Sequence, residues 1–256
     1  MPEFLWTDLS TFDLAQAKAD YEQIFGWRFD GSGDYSVAQA PSETSSRAAP
    51  WSALREARAI AAAFPMPEAL AARGMPSFWM SYVGVADLDV CLAATRAWPG
   101  ATIELGPEPV PGGGRFALIR DPAGAGFSVL EGGENWLSSR APGPRRFYHA
   151  ADPLAVAGFY ADLFGWRLDA VEAGPAGPRW SIRCGDARVA TAEAIPDALR
   201  GPFTYWIPAF PTHAPAAAVE RLRGQGGALD ADLGDGRLLL ADRQGARFVI
   251  ERERAA

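Results

Sequence analysis

Apolar and polar positions run along this chain in two successive passes of the same pattern. The first pass opens on an apolar strand at Glu3–Leu9 and the second on one at Arg145–Ala150. A segment with helical spacing follows each strand; in the first pass Leu14, Ala17, Tyr21, Ile24 and Phe25 share one face. Asp13 is placed to cap that helix, and Asp152-Pro153 sets a cap residue ahead of a proline at the first helical position of its counterpart. Both helices are expected to stop at a glycine, Gly26 and Gly165. Three short strands come next, Trp27–Asp30, Tyr35–Gln39 and Ala59–Phe64, mirrored by Trp166–Asp169, Trp180–Cys184 and Arg188–Ala192. A further unit then begins at Phe78–Val85, continues as a helix from Asp87 to about Trp98, and closes with strands near Thr102–Leu105, Arg115–Arg120 and Gly126–Glu131. The second pass repeats it as Thr204–Phe210, a helix near Pro215–Gly224, Leu229, Arg237–Ala241 and Arg247–Glu251.

The passes also share words. Phe25-Gly26-Trp27-Arg28-Phe29-Asp30 returns as Phe164-Gly165-Trp166-Arg167-Leu168-Asp169, with Tyr21 and Tyr160 at the same distance upstream. Trp79 recurs as Trp206, and Asp121-Pro122-Ala123-Gly124 as Asp242-Arg243-Gln244-Gly245. A repeat this long is a duplicated domain rather than a solenoid. The pattern therefore predicts an α+β chain of four βαβββ units in two domains, residues 1–131 and 145–256. The stretch 132–144, rich in glycine, serine and proline, reads as the linker. Pro41–Pro50 is a polar insertion of the first copy alone, either a lid or mobile surface, and Ser52–Arg58 reads as a helical turn.

Composition narrows the function classes. With 48% hydrophobic and 21% charged residues the 256-residue chain is ordinary globular material. A formal net charge of −7 argues against a nucleic-acid partner, whose phosphates demand a basic face. No apolar run approaches the ~18 residues of a membrane helix. The start, MPEFLWTDL, has no basic segment ahead of an apolar one, so a cytoplasmic location is expected. Cys91 and Cys184 fall in different halves and read as small apolar residues in a reducing compartment.

Three motifs carry a family resemblance: Asp13, Tyr21 and Phe25-Gly26-Trp27; Val85-Ala86-Asp87-Leu88-Asp89; and Asp121-Pro122-Ala123-Gly124-Ala125-Gly126-Phe127. Together they resemble the vicinal-oxygen-chelate superfamily of glyoxalases, bleomycin-resistance proteins and extradiol dioxygenases, in its tandem form. The resemblance implies glyoxalase-type domains with half-barrel mixed sheets around a cavity, and members that range from metal enzymes to drug-binding proteins. It also implies a divalent metal held from the first, fifth and last strands of a half. Those positions here are Trp6, Met80 and Ser128 in the first half, and Arg145, Ile207 and Val249 in the second. None is a ligand for a hard or borderline divalent ion, so no metal cofactor is expected.

Period-two alternation gives the residues sharing the face of those positions. They are Trp6, Asp8, Ser10, Ser128 and Leu130 in one half, and Arg145, Phe147, His149, Val249 and Glu251 in the other. His149 is either a general base oriented by Glu251 or a satisfied histidine at a strand end. Asp8 is either a pocket acid or a solvent-facing strand residue. Trp6, Trp79 and Trp206 either wall a cavity for a planar or apolar ligand or fill the barrel. Glu104, Glu131 and Glu193 have no partner that spacing can assign. The leading expectation is a small-molecule-binding protein acting without a metal through Trp6, Trp79, Ser128, Arg145, Phe147, Trp206 and Glu251. Next stands an enzyme with His149 or Asp8 as acid–base catalyst, and last a metal-dependent lyase or dioxygenase. Because two fused halves can complete each other, either a monomer or a homodimer is compatible with the sequence.

Overall fold

The computed structural model describes residues 1–30, 34–40, 59–72, 74–110, 113–132 and 144–252. The insertion 41–58 and most of the linker lie outside the described residues.

The first half carries β1 (Glu3–Thr11), α1 (Leu14–Phe25), β2 (Arg28–Asp30), β3 (Ser36–Gln39), β4 (Ala59–Pro65) and a short α2 (Glu68–Ala71). It continues with β5 (Phe78–Val85), α3 (Leu88–Ala97), β6 (Thr102–Pro109), β7 (Arg115–Arg120) and β8 (Gly126–Glu131). The second half repeats this as β9 (Arg145–Ala150), α4 (Ala157–Phe164), β10 (Trp166–Gly174), β11 (Gly177–Cys184), β12 (Ala187–Ala194) and a short α5 (Asp197–Arg200). Then come β13 (Tyr205–Thr212), α6 (Pro215–Gly224), β14 (Ala228–Gly234), β15 (Arg237–Ala241) and β16 (Arg247–Arg252).

Each half forms one mixed eight-stranded sheet, ordered β2-β3-β4-β1-β5-β8-β7-β6 and β10-β11-β12-β9-β13-β16-β15-β14. This is the α+β, half-barrel architecture of the glyoxalase type. Local chemistry sets the helix ends. Asp13 accepts a hydrogen bond from the Gln16 amide and Asp87 one from Val90, while Gly26 and Gly165 close α1 and α4 at φ 73° and 66°. Only glycine enters that left-handed region without a Cβ penalty. Asp152 departs from expectation: it caps a 3-10 turn, Pro153–Val156, before α4 begins. The short helices α2 and α5 escaped the periodicity reading because one turn is too short to show a period.

The helix-covered faces of the two sheets back onto each other. Leu9, Tyr21, Trp27 and Trp79 of the first half pack with Phe210, Leu222, Phe248 and Ile250 of the second. Val83, Leu92 and Phe127 pack in the same way with Phe159, Tyr160, Trp166 and Trp206.

The repeated words meet at this seam. Trp79 Nε1 donates to the Tyr21 hydroxyl at 3.1 Å, which donates to Asp242 Oδ2 at 3.2 Å. Its mirror runs from Trp206 Nε1 to the Tyr160 hydroxyl at 2.7 Å and on to Asp121 Oδ2 at 2.9 Å, where Tyr148 adds a bond at 2.6 Å. Each turn aspartate also holds its own loop, Asp121 accepting from Ala123 and Ala125, and Asp242 from Gln244 and Ala246. The duplicated Tyr, Trp and Asp thus form two buried clasps between the halves. A third link is Arg146, which donates to Ser81 Oγ and to the Trp6 carbonyl, both at 3.0 Å. Burial lowers the pKa of that guanidinium to about 9.

Candidate functional site

The faces turned away from the seam form two bowls, and the strand register decides what each contains. Across the first, Trp6 on β1 stands opposite Tyr82 on β5, and Tyr82 stands beside Ser128 on β8. Asp8 stands opposite Met80 in the adjacent row. Trp6, Ala62, Met80, Tyr82 and Leu130 make this bowl's apolar lining.

Asp8 is the polar centre, with 2% of its surface exposed. The Trp6 indole N–H donates to Asp8 Oδ1 at 2.5 Å and the Tyr35 hydroxyl to the same oxygen at 3.0 Å. Tyr82 hydrogen-bonds the carboxyl as well. Burial raises its pKa from 3.8 to about 6, against the opposing pull of the bonds from Tyr82, Tyr35 and Trp6. Tyr35 is 37% exposed, so one donor to the buried carboxyl reaches the surface.

The second bowl has an apolar cluster of its own. Phe147, Ile195, Ile207, Leu233, Leu239 and Val249 pack together there. Glu193 occupies its polar side: Arg237 Nη1 lies 2.8 Å from Oε1 and 2.9 Å from Oε2, Arg179 Nε 2.8 Å from Oε1, and His149 Nε2 3.2 Å from Oε2. Burial acts to raise the Glu193 pKa, but its bonds to His149 and Arg237 and their charges outweigh it and hold the group at about 2. His149 is fully buried, and desolvation lowers its pKa against the opposing pull of Glu193. The Phe147 ring lies beneath two guanidiniums, Arg145 at 5.1 Å and Arg237 at 4.9 Å.

Sequence reasoning placed nine candidates, and the structure divides them into three groups. Trp6, Asp8 and Ser128 share the first bowl. Arg145, Phe147, His149 and Glu251 lie in the second, so Asp8 and His149 cannot act on one reacting centre. Trp79 and Trp206 sit in the seam with 6% and 3% of their surfaces exposed, their N–H groups committed to the clasps. The carboxylate expected to orient His149 is corrected. Glu251 pairs with Arg145 at 3.1 Å, and Glu193, its neighbour across the β9–β12 ladder, takes the histidine. Alternation cannot reveal that exchange, because it depends on which strands pair. Tyr82 was not among the candidate site residues although it alternates with Met80 on β5. Tyr35 gave no sequence signal, since it stands ahead of β3 and reaches Asp8 only through the fold.

No family model matches the chain, but it is similar to several known proteins. CFP32 of Mycobacterium tuberculosis, named as a candidate glyoxylase, is 27% identical over 96% of this chain and 92% of its own. The anthracycline biosynthesis protein DnrV of Streptomyces peucetius is 28% identical over 96% and 91%. Among solved structures, the Mn(II)-bound glyoxalase from Novosphingobium aromaticivorans superposes with a TM-score of 0.58 at 15% identity, covering 98% of this chain and 82% of that one. An extradiol ring-cleaving dioxygenase from B. fuscum gives 0.59 at 14%, covering 99% and 72%.

These neighbours correct the expectation that no metal cofactor belongs here, because one is Mn(II)-bound and the others include ring-cleaving dioxygenases. The three-strand positions that the fold uses do not fit a metal in this chain. In the first bowl the Trp6 nitrogen is a donor already spent on Asp8, and Met80 and Ser128 supply no anionic or imidazole ligand. Among the described residues no group of three or more His, Cys, Asp or Glu side chains could hold an ion.

Proposed function

The chain is a tandem member of the vicinal-oxygen-chelate superfamily, and on that premise we propose that its first half binds a small aromatic or apolar molecule and exchanges a proton with it through Asp8. One observation carries this reading. A carboxyl at the centre of an aromatic bowl, held by Trp6, Tyr35 and Tyr82, has its pKa raised to about 6 by burial. A general acid or base works best when its pKa lies close to the working pH, and an ordinary aspartate is far too acidic for that. Deprotonated, Asp8 takes a proton from an acidic C–H or O–H of the bound molecule; protonated, it returns one at a neighbouring atom. The net reaction is an isomerisation or elimination needing no redox partner.

Trp6 and Tyr82 pack as flat apolar rings around that carboxyl, the surface a planar ligand meets once it enters, and mostly apolar sites with few polar groups are the usual design for small ligands. Tyr35 is the group a ligand displaces, being the exposed donor to Asp8. The anthracycline pathway of one relative suggests hydroxylated polycyclic aromatics as the first class to try. The test is a tryptophan-quenching titration with a dihydroxyanthraquinone in wild type, Asp8→Asn and Tyr82→Phe. Saturable binding at one site per chain, weakened in both variants, supports the reading. Equal binding in all three proteins refutes it.

A further inference from the structure

The two halves also enclose a space that shares Met80 with the edge of the first bowl but does not reach Asp8. Equivalent segments meet there, 75–80 leading into β5 and 201–206 leading into β13, around a cavity of about 440 Å³. That volume lies within the range of small-molecule sites and is too small for a folded partner. The walls are apolar: Phe78 and Leu118 come from the first half, and Phe203 from the second. Phe203 is 63% exposed, a large aromatic left uncovered at the rim.

The polar groups are distributed unequally. In the first half Arg120 is fully engaged, its Nε and Nη2 on Glu104 at 2.7 and 3.0 Å and its Nη1 on the Gly124 carbonyl at 2.8 Å. In the second half Arg247 Nε donates to Asp230 at 2.9 Å and Nη1 to the Arg200 carbonyl, and the guanidinium also lies against the Tyr205 hydroxyl. The Tyr205 hydroxyl is buried beside this guanidinium, which can only donate to it, and its own proton meets no acceptor at hydrogen-bonding geometry among the described residues. An unsatisfied buried hydroxyl costs about 1–3 kcal/mol.

We infer that this inter-half groove is a second small-molecule site, distinct from the Asp8 bowl, for a planar and mostly apolar compound bearing one anionic acceptor group. The rings lie between Phe78, Leu118 and Phe203. The acceptor takes the hydrogen bond of the Tyr205 hydroxyl, which gives that buried donor its partner, and lies beside the Arg247 guanidinium charge. The site comes from the pairing of the halves, so neither half presents it alone.

Anilinonaphthalene sulfonate, two apolar ring systems with one sulfonate, is the probe. Its fluorescence is titrated against the full chain and four variants: Phe203→Ala, Gly126→Leu, Tyr205→Phe and Asp8→Asn. Phe203 is a rim residue whose truncation leaves the core intact, and a Cβ at Gly126 meets nothing within 4 Å, so leucine there fills the groove without a backbone clash. Saturable binding at one equivalent, weakened about tenfold or more by each of the first three substitutions and unchanged by Asp8→Asn, is the expected result. Binding unaffected by Phe203→Ala and Gly126→Leu overturns the inference. Binding lost only in Asp8→Asn overturns it too, placing the probe in the first bowl and leaving the reading of that bowl intact.

Discussion

Replacing Asp8 by asparagine should make the protein more stable at neutral pH. The folded state holds this carboxyl at a pKa of about 6, against a model value of 3.8. A raised folded-state pKa favours the protonated form in the fold, so above pH 6 folding must carry the cost of ionising a buried acid. At ~1.36 kcal/mol per pKa unit, a displacement of about two units costs about 3 kcal/mol. The penalty is absent below about pH 4, where the group is protonated whether the chain is folded or not, and it grows as pH rises towards 6. Asparagine keeps an oxygen that accepts from Trp6 and Tyr35 but never ionises. Urea unfolding of both proteins between about pH 4 and pH 7.5 measures the difference, and groups such as Glu193, common to both, cancel. The variant should gain about 3 kcal/mol on wild type across that interval. A difference between the proteins that does not change with pH would refute the reasoning. A residue kept at such a cost is the usual mark of a functional site.

Three further outcomes follow from the seam and the second bowl. Tyr160→Phe strips a partner from the Trp206 N–H and a hydrogen bond from Asp121, and should destabilise by about 2–4 kcal/mol in urea unfolding, with Tyr21→Phe acting alike in the mirror clasp. Glu193→Gln leaves Arg237, at 4% exposure, without its carboxylate, and should cost about 3–5 kcal/mol in the same assay. Since the Glu193 pKa is lowered to about 2 from 4.5, its stabilising contribution is present above pH 4.5 and lost as pH falls towards 2; acid unfolding of wild type should be steeper through that window than that of Glu193→Gln.

The fold was legible because its signals are local. Periodicity fixed the strand and helix spans, and cap residues such as Asp13 and Asp87 and the stop glycines Gly26 and Gly165 fixed their ends. Alternation likewise put Trp6, Asp8 and Ser128 on one face. It could not say which face of β5 or β13 meets the other half, so Trp79 and Trp206, read as cavity walls or barrel filling, proved to be donors in the clasps that also border the inter-half groove. The recurrence of Tyr, Trp and Asp marked residues under a shared constraint, and that constraint is the seam. His149 was given the wrong carboxylate because Glu193 and Glu251 lie on strands flanking β9 and β15, and only the pairing decides between them. Neither Tyr35 nor the inter-half groove has any local signature, since both arise from segments distant in sequence.

The central claim, that Asp8 is a proton-exchanging group within a ligand site, is tested most directly by carbon NMR of isotope-labelled aspartate carboxyls. Asp8 would be assigned by its loss in Asp8→Asn and titrated with and without a saturating dihydroxyanthraquinone. The account predicts a midpoint near 6 in the free protein that moves when the ligand binds. A midpoint near 4, the same with and without ligand, would contradict it.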